Sequence, residues 1–212
     1  MSVELVNGDI NQDWYEHAVA ARIVGVDIET SGLSLSSDKI ATIQIFVQGK
    51  GTVMVRNMEQ PFNTMRLLEN RQILKIFHHA PFDLGFLVRD YDVFPENIAD
   101  TKVAAKILDP RKTQFIHPTT GKGSHALMSL VHHYFGFMMD KSLAVSDWFS
   151  PNLTAAQVDY AAKDVEYLPE LLRKLEVELA KKRKVKFTRE AMNATALRTI
   201  LKVKGMEDLY DY

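Results

Sequence analysis

Between Arg22 and Lys39 the chain has no lysine or arginine, yet it sets two acids close together in Val26-Asp27-Ile28-Glu29-Thr30. The run leading into them, Arg22-Ile-Val-Gly-Val-Asp27, is short and apolar, the pattern of a buried strand. Residues i and i+2 of a strand share a face, so Asp27 and Glu29 project together near the end of what should be a central strand. Two carboxylates in a mostly buried position repel each other and are costly to desolvate. Positive charge must reach them from elsewhere. A divalent cation meets that need, and hard oxygen donors favour Mg²⁺ or Mn²⁺ over zinc. A strand end meeting solvent would also tolerate an Asp-x-Glu, so this segment alone leaves both readings open.

The rest of the chain reads as α/β. Lys39 to Phe46 alternates with period two, Gly49-Lys-Gly51 marks a turn, and Thr52-Val-Met-Val55 follows, which predicts an antiparallel meander with the first strand. Leu74 to Phe77 is a further strand, and Pro81 opens a helix as its first residue. Asp100-Thr101 caps another helix, which Asp109-Pro110 ends. Residues 111–124, with Arg111, Lys112 and Lys122, read as a loop, and a helical pattern covers His125 to Phe135. Thr154-Ala-Ala-Gln157 is a capping box for a helix running past Asp164, which Pro169 either kinks or replaces with a second helix. A basic run, Lys181 to Lys186, precedes a last helical stretch to about Lys204.

Length and composition narrow the classes. Chains of 212 residues fit one domain, with 46% hydrophobic and 25% charged residues. Lys plus Arg is 26 against 27 Asp plus Glu, and a net charge of −1 excludes a protein that grips nucleic acid through bulk positive charge. The absence of cysteine excludes disulfides, Cys-zinc sites and thiol nucleophiles. Glu4, Asp9, Asp13 and Glu16 rule out a signal peptide over the first twenty residues, and no apolar run approaches a membrane span, so the cytoplasm is the expected compartment.

Two more acids stand out. Asp83 falls in the first turn of a predicted helix, where dipole stabilisation is its ordinary use. Asp164 shares a helical face with Tyr160, four residues earlier. In order and flanks, three segments resemble the DEDD superfamily of 3′–5′ exonucleases, in its tyrosine subclass: Val26 to Leu33, Ile76 to Leu84, and Tyr160-Ala-Ala-Lys-Asp164. The block from Asp140-Lys141-Ser142 to Ser146-Asp147-Trp148 is similar to ribonuclease D, and the likeness spans residues 20–175. It implies a ribonuclease H-like fold, a mixed sheet flanked by helices, with a helical C-terminal extension over about 176–212. It also implies two divalent cations held by Asp27, Glu29, Asp83 and Asp164, with Asp27 bridging. Tyr160 would orient the attacking water, since a phenol with a pKa near 10 is a poor base at neutral pH. Thr30 would offer its amide to the 3′ hydroxyl, Leu33 would wedge against the last base, and Lys141 would meet a phosphate. His79 stands where many relatives have asparagine. Core packing is the competing role for Leu33, and Trp148 is expected in the core.

These likenesses imply a 3′–5′ exoribonuclease acting on short or single-stranded RNA. Ribonuclease D carries further helical RNA-binding domains that are not expected here. The length, the start Val6-Asn-Gly-Asp-Ile10 and a closing helix through Gly205 to Tyr212 are similar to nanoRNase C, a ribonuclease D relative that degrades very short RNA and forms rings. A homo-oligomer is therefore expected. A DNA exonuclease and a catalytically silent RNA-binding module are the alternatives.

Overall fold

A computed structural model describes residues 2–206 and Leu209. Most of the closing segment, from Glu207 to Tyr212, therefore lies outside the described residues. In chain order the elements are β1 (Val3–Asn7), α1 (Gln12–Ala21), β2 (Ile23–Thr30), β3 (Ile40–Val47), β4 (Gly51–Arg56), α2 (Phe62–Glu69), β5 (Leu74–Phe77), α3 (Ala80–Tyr91), β6 (Ile98–Asp100), α4 (Thr101–Leu108), α5 (Leu127–Phe135), α6 (Ala155–Glu166), α7 (Leu168–Lys181) and α8 (Val185–Val203). The strands form one sheet in the order β1-β4-β3-β2-β5-β6. β2, β3 and β4 are the antiparallel meander, while β1 joins β4 and β5 and β6 extend from β2 in parallel. The expected mixed sheet with flanking helices is thus the observed one.

β2 divides the molecule. Val24, Val26 and Ile28 enter one core with Trp14 and Ala18 of α1 and Leu84 and Leu87 of α3. Gly25, Asp27 and Glu29 face the other way, toward α6. Gly25 lets that helix in: a methyl group there would lie 2.4 Å from the Val165 carbonyl oxygen. Thr154 accepts from the Gln157 amide at 3.2 Å, and the Gln157 side chain accepts from the Thr154 amide at 2.9 Å, the reciprocal cap expected of that box. Pro169 sits in the first turn of α7, so it begins a second helix.

Asp100 does more than cap its own helix. Its carboxylate accepts from Lys102 and Val103 at the start of α4 and from His79 and Ala80 at the start of α3. This fastens the helix carrying Asp83 to the sheet, since His79 gives α3 no side-chain cap. The C-terminal helices are integral to this packing. α8 lies on α3 and α4 through buried Met192, Ala196 and Ile200, and Lys182 and Lys184 donate to the Leu108 and Ile107 carbonyls at the end of α4. Two members of the basic run are therefore helix caps. The 111–124 loop is likewise pinned, with buried Phe115 and an Asp109 carboxylate that accepts from Thr113, Gln114 and Phe115.

Replacing Gly25 with valine should drive α6 off β2 and destabilise the fold by about 1–3 kcal/mol or more. Thermal unfolding checks this; an unchanged midpoint would contradict the close approach.

Candidate metal centre

The geometry of the acids follows from where β5 stops. It pairs with β2 only over Ile23 to Gly25, while β3 follows β2 through Thr30. Beyond Gly25 one flank of β2 is open. There the freed Ile28 amide donates to the Asp83 carboxylate at 3.2 Å, which brings the first turn of α3 against the strand. From the opposite layer, α6 lowers Asp164 onto the same segment. Asp27, Glu29 and Asp164 offer oxygens that all lie within 4.8 Å of one another. Asp83 completes the neighbourhood from the strand's open flank but stands outside that tight group. Three of the four predicted acids thus meet near Tyr160, with Asp83 on the flank of the strand, all drawn from three distant segments.

Among the described residues, one side chain supplies cationic charge at close range. Lys141, from the α5–α6 connection, donates to both Asp164 oxygens at 2.5 and 2.7 Å and to the Tyr160 hydroxyl at 3.3 Å. It approaches within 4.8 Å of the centre of the Tyr160 ring. Sequence reasoning singled out Lys141 for a phosphate; the structure sets it on the acids themselves. One ammonium does not neutralise this group. Burial, then the Asp164 charge, pushes Asp27 up to about 8, and burial with Asp27 and Asp164 pushes Glu29 up to about 9. Burial and Asp27 raise Asp83 well above the carboxylate range, and burial raises Asp164 against the pull of Lys141. The donor set is all oxygen and its negative charge is under-compensated, which fits a hard divalent ion.

Tyr160 is buried against Trp148, 5.8 Å between ring centres, and Trp148 is a core residue as expected. Burial and the nearby carboxylates hold its phenol protonated well above neutral pH. Leu33 is 85% exposed, which excludes core packing. Its loop is braced: Arg89 of α3 donates to the Leu35 and Asp38 carbonyls, and Leu35 lies over Gly85. Thr30 ends β2 at a bulge, with its hydroxyl donating to the Gly32 carbonyl at 2.6 Å. His79 takes φ +81°, a conformation asparagine adopts more readily, and its exposed ring lies one turn before Asp83. His78 turns inward to the Thr101 hydroxyl at 2.9 Å, so the two neighbouring histidines diverge. Arg89 is a supporting residue that sequence reasoning did not find, and Asp100, read from sequence as the cap of α4, also holds the start of α3; only the fold brings them to these roles.

The fold and its all-oxygen donor set describe a site suited to a hard divalent cation. Comparison with known proteins gives the family. The 3′–5′ exonuclease family profile matches residues 7–180, and the chain belongs to that family. It is 33% identical over 150 residues to DNA polymerase I of Aquifex aeolicus, covering 71% of this chain and 23% of that protein. It is 31% identical over 163 residues to ribonuclease D of Haemophilus influenzae, covering 74% of this chain and 37% of that one. The chain therefore spans well under half the length of these relatives. Among solved structures, Brucella melitensis NrnC superposes with a TM-score of 0.85 at 26% identity, covering 100% of this chain and 99% of that one. The same Brucella protein with bound pGG and with bound Mg²⁺ superposes at 0.83 and 0.82. Exonucleases of this family use divalent metals.

The raised acids make stability depend on pH. Folded Asp27 and Glu29 keep their protons to about 8 and about 9, whereas the unfolded chain releases them near 3.8 and 4.5. The folded state binds more protons in that window, so the metal-free protein should lose stability as pH rises from about 5 to about 9. Added Mn²⁺ should raise the melting temperature more at pH 8.5 than at pH 5.5. Scanning calorimetry in chelator and in Mn²⁺ checks both; a Mn²⁺ shift that shrinks as pH rises would contradict the crowding.

Proposed function

We propose that the protein is a metal-dependent 3′–5′ exoribonuclease that releases 5′ mononucleotides from short or single-stranded RNA. One observation carries this reading: in a chain of the exonuclease family, Asp27, Glu29 and Asp164 bring their oxygens within 4.8 Å of one another beside Tyr160. Asp27, Glu29, Asp83 and Asp164 would hold two ions, Mg²⁺ or Mn²⁺. When bound, such ions supply an acidified water and charge for the departing 3′ oxygen. The residues do the rest. Tyr160, protonated throughout, orients the water through its hydroxyl rather than removing a proton. Lys141 carries its ammonium from Asp164 to a substrate phosphate. Leu33, standing out on its braced loop, packs against the terminal base, while Thr30 and His79 border the terminal sugar.

RNA is favoured by the ribonuclease D relative and by the pGG-bound Brucella structure. That same structure, matched over nearly the whole of both chains, favours a second reading in which dinucleotides are the main substrate. The match to DNA polymerase I keeps a DNA 3′–5′ exonuclease as a competing reading, and a silent RNA-binding module is the non-enzymatic one. Action as a single domain, in a cytoplasmic homo-oligomer, belongs to the same proposal.

A length series from dinucleotide to structured RNA, with matched DNA, tests the reading by the sizes of the products. Stepwise Mn²⁺-dependent release of 5′ mononucleotides is expected, with RNA preferred. No release from any oligonucleotide would end the enzymatic reading. Asp27→Ala or Asp164→Ala should lower turnover by at least about 10³-fold, while the fold persists by circular dichroism. Tyr160→Phe should cost a smaller factor, about 10- to 100-fold; a loss equal to that of Asp164→Ala would contradict a positioning role.

A further inference from the structure

Beside the acidic pocket lies a second feature that the metal chemistry leaves unused. A cavity of about 360 Å³ opens between the start of α3, the outer face of α4 and the first turns of α8. Its walls include His79, Asp100, Lys102, Lys106, Ile107 and Phe187. Lys102 and Lys106 are one turn apart on α4, and among the described residues neither has a carboxylate in salt-bridge range. Asp100 attracts Lys102 at a distance, but its oxygens are taken by four backbone amides and make no ion pair with either lysine. Lys102 feels this: burial first, then Lys106 and Lys112, push its pKa down. Facing the lysines, Phe187 is 65% exposed, a large apolar ring held in solvent at the start of a helix.

We propose that this groove holds the nucleotides of a longer single-stranded substrate that lie 5′ of the two flanking the scissile bond, beyond the reach of a dinucleotide, with Lys102 and Lys106 on their phosphates and Phe187 under a base. The inference rests on the exonuclease reading and deepens it by adding a subsite. Three observations carry it. The first is continuity: His79 lines the groove on one side and, one turn along α3, Asp83 enters the acidic pocket on the other. The second is the field between them. His78 sits between the two regions, and burial together with Lys102 and Lys141 lowers it to about 3. The third is chemistry: unpaired cations along one wall and a bare aromatic on the other form a stacking platform beside a phosphate track. The net charge of −1 agrees, since such a protein must concentrate its grip locally.

The test compares 5′-³²P-labelled di- and pentaribonucleotides in Mn²⁺, across a salt series, for the wild type and Lys102→Ala/Lys106→Ala. The ratio of kcat/KM for the pentamer to that for the dimer should fall about tenfold in the double variant. The salt dependence of pentamer cleavage should flatten by about 1.4 in logarithmic slope, the value for two phosphate contacts on a single strand. Phe187→Ala should lower the same ratio with the salt slope unchanged, and Lys102→Arg/Lys106→Arg should restore it. Equal losses on both lengths, or no change in ratio, would overturn the proposal. A wild type that cleaves neither length would instead defeat the exonuclease reading. Fluorescence anisotropy with the pentamer would then decide the groove, through tenfold weaker binding without the lysines or through equal affinities that refute it. Displacement of the pentamer by oligoglutamate of equal charge and concentration would assign the groove to an acidic protein partner and overturn the proposal.

Discussion

The cost of drawing carboxylates out of water, sharpened by their mutual repulsion, governs this molecule. Three oxygen-bearing side chains meet within 4.8 Å, a fourth stands beside them, and a single ammonium, Lys141, answers. Left alone, such a cluster keeps its protons, which is what the upward shifts of Asp27 and Glu29 express. The surrounding fold therefore has to hold these groups together against their charge. Gly25 permits the backbone of α6 to rest on β2, the Thr154–Gln157 box fixes where that helix begins, and Asp100 anchors the start of α3. These three devices lie on different elements and serve one end, the spacing of the acids.

The withdrawal of β5 after Gly25 is the second requirement. A fully paired β2 would spend the Ile28 amide on a neighbouring strand and close the flank through which Asp83 arrives. Ending the parallel pairing early turns the carboxyl end of a central strand into an opening, where ligands bind in open α/β sheets. The C-terminal helices bear on the same opening. α8 packs on α3 and α4, and the lysines between α7 and α8 cap α4, so the region beyond the core shapes the approach to the acids.

Much of this could be read from residue order. The i, i+2 spacing of Asp27 and Glu29 predicts their shared face, the capping box predicts the start of α6 to the residue, and period-two alternation predicts the meander. Other elements escaped for physical reasons. β1 is a mostly exposed edge with little alternation, β6 is three residues long, and α2 starts at Pro61 without a side-chain cap. Within α1, Trp14, Tyr15 and Ala18 form the buried stripe, but charged neighbours blur it, and the Asn11 cap emerges only in the structure. At the site, acids and tyrosine were legible because their order and flanks carry the chemistry. Lys141 on Asp164, Arg89 on the Leu33 loop and Asp100 across two helices were not, because each acts through tertiary contacts that no local spacing encodes. The basic run is of the same kind: two of its lysines serve backbone carbonyls at the end of α4, which the run itself does not signal.

The most direct check is a crystal structure of the protein grown with Mn²⁺, read from anomalous differences at the manganese edge. The account predicts a peak coordinated by oxygens of Asp27, Glu29 and Asp164, with the Lys141 ammonium no longer on the Asp164 carboxylate. A peak elsewhere, or a Lys141–Asp164 pair unaltered at saturating Mn²⁺, would contradict it.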